Sequence, residues 1–117
     1  GKSQNFRRYS IRVDGFVSAQ APLSGGEFVT KPIVFKGSQL EINYSTSAAG
    51  SIHVEIQDAE GKPIPGHTLA DCHEIFGDEI QRTVAWKNGE SVKQVEGTPV
   101  RLRFVLKDAD LYSFRFH

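Results

Sequence analysis

The chain has a single cysteine, no methionine and no net formal charge. One cysteine cannot close an intrachain disulfide, so a disulfide-stapled framework is excluded and the fold must rest on its core. Fourteen basic residues balance fourteen acidic ones, which removes the electrostatic basis for bulk capture of nucleic acid or an anionic membrane. No apolar run approaches the roughly 20 residues that cross a bilayer. The opening "GKSQNFRRYS" has no apolar stretch of signal-peptide type. The 117 residues are expected to form one domain, taken from a larger multidomain protein and monomeric on its own. Also missing are GxSxG, P-loop, HExxH and GxGxxG patterns, so no motif marks a catalyst and no enzyme is expected.

What the chain does have is a period of two. Leu40, Ile42 and Tyr44 alternate with Glu41, Asn43 and Ser45; Ile52, Val54 and Ile56 alternate with His53, Glu55 and Gln57. Val100, Leu102, Phe104 and Leu106 alternate with Arg101 and Arg103, and Tyr112, Phe114 and Phe116 share one side of "LYSFRF". Apolar-in, polar-out strands of this kind belong to antiparallel sheets with one wetted face. Turn signals separate them at Asp14-Gly15, Ser24-Gly25-Gly26, Ala49-Gly50, Glu60-Gly61, Asn88-Gly89 and Asp108-Ala109-Asp110. Runs bounded in this way give eight or nine short strands and no amphipathic helix. The expected fold is all-β, an antiparallel β-sandwich of jelly-roll type.

Chemistry concentrates in "HTLADCHEIFGDE", residues 67–79, which holds two histidines, the cysteine and four carboxylates. His67 and His73 are six apart, a spacing that matches no zinc motif. Asp71, Asp78 and Glu79 are the oxygen donors a calcium ion would use, although the spacing is not that of an EF-hand. Cys72 and His73 are neighbours, and neighbours on an extended chain point to opposite faces, which disfavours a nucleophilic pair. The simpler reading has Cys72 buried as a small hydrophobe and the aspartates holding turns. Trp86 shares parity with Ile80 and Val84 and is expected in the core, whereas the sequence does not place Phe16 and Phe76 on either face.

The outward strand positions carry side chains suited to polar ligands. Asn43, His53, Glu55, Gln57, Arg101 and Arg103 form the candidate binding face, with planar groups able to pair with sugar hydroxyls. Arg101 and Arg103, two apart on one face, would also suit the carboxylate or sulfate of an acidic glycan. Any solvated sheet face has a similar composition.

Four segments taken in order, "IRVDGFVSAQA" with "GGEFVTKPIVFKG", "LEINYSTSAAGSIHVEIQDAEGKPIPG", "ADCHEIFGDEIQRTVAWKNG" and "GTPVRLRFVLKDADLYSFRF", cover nearly the whole chain. Together they resemble the C-terminal β-sandwich module of bacterial glycosidase-like proteins, in which a propeller resembling glycoside hydrolase families 32 and 43 precedes the sandwich. That resemblance implies a non-catalytic accessory domain of a secreted or periplasmic protein, and it supplies no ligand-binding motif. Three functions follow as expectations: polysaccharide binding on a polar sheet face, structural packing on a neighbouring glycosidase domain, or a small enzyme using the 67–79 cluster.

Overall fold

A computed structural model describes residues 10–13 and 17–117, with the side chains of residues up to 24 and of 78–81 left aside. The expected turn at Asp14-Gly15 and the ring of Phe16 lie outside the described residues. The chain is all-β and antiparallel. Among the described residues its strands are β1 (Ser10–Val13), β2 (Val17–Val29), β3 (Leu40–Asp58), β4 (Asp78–Thr83) and β5 (Val100–Phe116), with one 3-10 turn at Lys93–Val95. They form one sheet in the order β1-β2-β5-β3-β4. β5 is central and pairs with β2 on one side and β3 on the other.

Two long strands replace four of the short ones that the alternation suggests. β3 contains both "LEINYST" and "SIHVEIQ", and β5 contains both "VRLRFVL" and "LYSFRF". The Ala49-Gly50 and Asp108-Ala109-Asp110 signals are therefore not hairpin turns. They are irregularities inside continuous strands, because the ladder resumes beyond them: Thr46 pairs with Ala109, and the next pair is Ser51 with Lys107. β2 shifts register opposite the same place, between Ser24 and Gly26. There Gly25 and Gly26 take φ of 72° and 85°, a region open chiefly to glycine. Asp108 takes φ 47° without being glycine, which Asp tolerates better than most residues.

Three irregularities aligned across three neighbouring strands, β2, β5 and β3, bend these strands along one line. The result is visible in β5. Phe104 and Phe114 are ten residues apart on that strand, about 33 Å if it ran straight. Their ring centroids are 5.2 Å apart. β5 thus doubles back, and its two halves face each other across the core. The inward residues are those that alternation selects in β3 (Leu40, Ile42, Tyr44, Ile52, Val54, Ile56) and in the first half of β5 (Val100, Leu102, Phe104, Leu106).

In the second half of β5 the phase slips. Asn43 pairs with Ser113 and Tyr44 with Leu111, so Tyr112 is an extra residue in a bulge. Leu111 and Phe114 turn inward, and Tyr112 is 41% exposed, not buried with Phe114 and Phe116 as alternation implies. The segments between the strands close the core from outside the sheet. Phe35 stacks on Phe116 at 3.8 Å. Trp86 is buried as expected, with Nε1–H donating to the Val54 carbonyl at 3.0 Å and the edge of His67 against it at 4.9 Å.

Gly50 makes the bend possible. A Cβ there would collide with the Asp108 carbonyl and lie 2.7 Å from the carbonyl oxygen of Lys107, both of them backbone atoms that cannot swing aside. Gly50→Ala is expected to destabilise the domain by about 1–3 kcal/mol, the scale of an overpacked core. Thermal or urea unfolding of the variant measures this.

Candidate functional site

The polar face proposed from the sequence exists, but much of it is covered. Glu55 and Gln57 are only 3% and 8% exposed. They were expected to point into water, and they are instead roofed by the segment that follows β3. Pro63 bridges to Gln57, and the Ile64 N–H donates to the Ile56 carbonyl. Glu55 is the anchor of this cover. One carboxylate oxygen accepts the backbone N–H of Leu69 at 3.2 Å; the other accepts Gln57 Nε2 at 2.9 Å and Arg103 Nη1 at 3.4 Å. A buried carboxylate is tolerable only with such donors around it.

The arginines are also occupied. Arg103 donates through Nε to Glu27 at 2.6 Å, and this hydrogen bond, ahead of the Glu55 contact, pushes its pKa above the ordinary arginine value. Arg101 donates from Nε to the Ala59 carbonyl at 3.0 Å and from Nη1 to the Thr30 carbonyl at 3.2 Å. Arg115 is held by Glu41 at 3.0 Å. His53 and Asn43 remain half-exposed, opposite Val105 and Ser113 on β5. The register therefore sets Arg101 opposite Gln57 and Arg103 opposite Glu55, with Glu55 taking donors from Arg103, Gln57 and the loop above while Arg101 serves the Ala59 and Thr30 carbonyls.

Residues 67–79 are a connection that wraps the core. His67 is buried, with Nε2 3.0 Å from the Ser91 carbonyl, so Nε2 carries the proton; Nδ1 is buried with no hydrogen-bond partner. Asp71 accepts the Thr68 hydroxyl at 2.9 Å, and its own N–H reaches that hydroxyl at 3.2 Å, a side-chain-stabilised turn. Asp78 and Glu79 pair through their backbones with Ser45 and Tyr44, and their side chains lie outside the described residues. Among the described residues, no three His, Cys, Asp or Glu side chains are grouped to hold a metal.

Cys72 is buried, as expected. Its Sγ accepts the Val54 N–H at 3.3 Å and donates to the His73 carbonyl at 3.4 Å. Burial pushes the thiol pKa from 9.0 to about 11, only partly offset by the Val54 hydrogen bond. The His73 ring, on the next residue, is exposed. The thiol is therefore protonated and enclosed, and no Cys–His nucleophile is assembled.

Sequence reasoning missed a different place. Along the bend lies an open cleft of about 590 Å³, lined by Gly25, Ser45, Thr46, Ser47, Asp108, Ala109 and Asp110. That volume is within the usual range of small-ligand clefts. Tyr112 stands at its rim, with its hydroxyl 3.2 Å from Ser45 Oγ. On the other side of Thr46 is Gly77, which exchanges backbone and hydroxyl hydrogen bonds with it, and next to Gly77 is Phe76, the most exposed large hydrophobic side chain among the described residues. Hydroxyls and carboxylates thus line the cleft where three strands bend, and the exposed Tyr112 ring reaches its edge through Ser45. Three separate segments supply the lining: two, at Gly25 and at Asp108-Ala109-Asp110, read as ordinary turn signals, and the third is the Ser45-Thr46-Ser47 run, the one local hint because it interrupts alternation.

Comparison with protein-family models, curated proteins and solved structures finds no match for this chain.

Two measurements test the buried groups. With a pKa near 11, only about one Cys72 thiol in a thousand is ionised at pH 8, so thiol reagents should react slowly until the protein unfolds. The protonated thiol is the form that burial favours, so its contribution to stability is intact below 9.0 and is lost as the pH rises towards about 11. Cys72→Ala should remove that alkaline slope from an unfolding series. Separately, Glu55→Ala leaves the Leu69 N–H and Gln57 amide without an acceptor, and is expected to lower unfolding free energy by about 2–3 kcal/mol. Protease cleavage within residues 59–71 should then become faster.

Proposed function

We propose that this domain is a non-catalytic accessory module of a secreted or periplasmic carbohydrate-active protein, and that it binds polysaccharide in the cleft at the bend of its sheet. The fold reading that goes with it is an antiparallel β-sandwich of jelly-roll type. It is supported by the doubled-over β5, since strands that turn a corner through bulges and pass from one layer to the other are a known way to build two packed layers. The resemblance to sandwich modules that follow glycosidase-like propellers supplies the accessory role.

The observation that carries the binding reading is Tyr112. A bulge turns this ring out of the core beside a cleft rich in hydroxyl and carboxylate groups. A tyrosine ring offers an apolar face for a pyranose to stack on, while serine, threonine and aspartate side chains exchange hydrogen bonds with its hydroxyls. The sheet-face residues proposed from the sequence fit a ligand less well, because Arg101, Arg103 and Glu55 already satisfy one another and nearby backbone groups. A second reading, packing on a neighbouring domain, draws on exposed Val29 and Val34, at 38% and 41%.

Affinity electrophoresis in polysaccharide gels distinguishes the two. Native protein should be retarded by at least one glycan, and Tyr112→Ala should bind it about tenfold more weakly, the equivalent of about 1.4 kcal/mol, with an unchanged melting temperature. Retardation that persists in Tyr112→Ala would place binding elsewhere. Silence of the native domain across a broad glycan panel would favour the packing role.

A further inference from the structure

The cleft follows a row of residues across the sheet. By their backbones, Ser24 of β2 pairs with Asp110 of β5, Asp110 with Ser45 of β3, and Ser45 with Asp78 of β4. The lining passes through the first three of these strands in the same order, at Gly25, Asp108–Asp110 and Ser45–Ser47. The cleft therefore runs across the strands, along the bend, and the next place in the row belongs to the segment that leads into β4. Neighbouring strands lie about 4.8 Å apart, so the row from β2 to β4 spans about 14 Å. At the β2 end a Cβ added to Gly25 would meet nothing within 4 Å, so the row is open there.

Phe76 occupies the β4 end of that row. Ile75 exchanges backbone hydrogen bonds with Ile52 on one side of the bend, and Gly77 is hydrogen-bonded to Thr46 on the other. Phe76, between them, is held at the bend itself, and its carbonyl accepts the Tyr44 hydroxyl at 2.7 Å. Ile75 is buried in the core, and on an extended chain the next side chain turns the other way: Phe76 is 57% exposed. Tyr112, the ring already set beside the cleft, lies on β5, on the opposite side of β3. Two strand spacings separate the two positions across the sheet, about 10 Å, which is more than one pyranose ring covers. Both rings can stack on a sugar, but not on the same one.

Resting on the polysaccharide reading above, we infer that the bend holds a run of several sugar units laid across the strands, with Phe76 as a second stacking ring at the β4 end. The test titrates the native domain, Phe76→Ala and Tyr112→Ala with gluco-, manno- and xylo-oligosaccharides, from monosaccharide to hexasaccharide, beside gels of the matching polysaccharides. Melting curves confirm that the variants are folded; the contacts of Phe76 named above are made by its backbone, which alanine keeps. Native affinity should rise with chain length. Phe76→Ala should lower hexasaccharide affinity about tenfold and leave the shortest sugar that binds unaffected, whereas Tyr112→Ala weakens every length. Affinity that is already complete with a monosaccharide overturns the extended site and leaves the polysaccharide reading standing. So does a Phe76→Ala variant that holds the hexasaccharide as tightly as native protein. Failure of the native domain to bind any glycan, in gels or in titrations, overturns the polysaccharide reading itself and the extended site with it.

Discussion

Where β3 crosses the bend, Gly50 lies against the carbonyls of Lys107 and Asp108 with no room for a Cβ between the backbones. That close approach lets two strands of 19 and 17 residues stay hydrogen-bonded to each other while both change direction. The core depends on it. Phe104 meets Phe114 only because β5 folds over at this point, and the same fold puts the aromatic and aliphatic faces of both halves inside. The cleft depends on it as well, since its lining is the outer rim of that bend. One steric allowance thus sets both the interior and the candidate binding surface.

The opposite end of the sheet is organised by charge. Glu55 projects from the face that would otherwise be wet, and gathers Arg103, Gln57 and the Leu69 N–H around it. The loop after β3 consequently lies flat on the sheet and carries the chain towards Trp86, whose indole is pinned to Val54. Such a cluster holds the loop on the sheet. Its donors and acceptors are matched internally, and a ligand would have to break those contacts before making its own.

The inner face was legible in the sequence because alternation is a local property. Ile52, Val54, Ile56, Leu102 and Phe104 are inside as their spacing implies, and so are Cys72 and Trp86. What alternation does not encode is continuity. A Gly or Asp pair reads the same whether the chain reverses or only bends, so Gly50 and Asp108 suggested two extra turns and inflated the strand count. Nor does it encode what covers a face, which is how Glu55 and Gln57 came to look exposed. Tyr112 was misplaced by one extra residue in a bulge: between it and the Asp108 irregularity the inward positions are Ala109 and Leu111, and Phe114 and Phe116 beyond it face inward as alternation implies. The cleft escaped notice because its parts come from three distant segments, and only the register between them brings the parts together.

The position of β5 has a further consequence for how the chain acquires this shape. β2 and β3 are not neighbours in the sheet; each is satisfied by β5, and the Glu27–Arg103 contact closes a span of 76 residues. Local hairpins can form early only at β1–β2 and between β3 and β4. Until β5 inserts between them, β2 and β3 expose edges able to pair with any other extended chain. Completing the sheet therefore depends on non-local closure, a topology that folds more slowly than one built from local hairpins. Lys107 and Asp108 set two exposed charges in the middle of β5, a feature that disfavours edge-to-edge pairing of exposed strands.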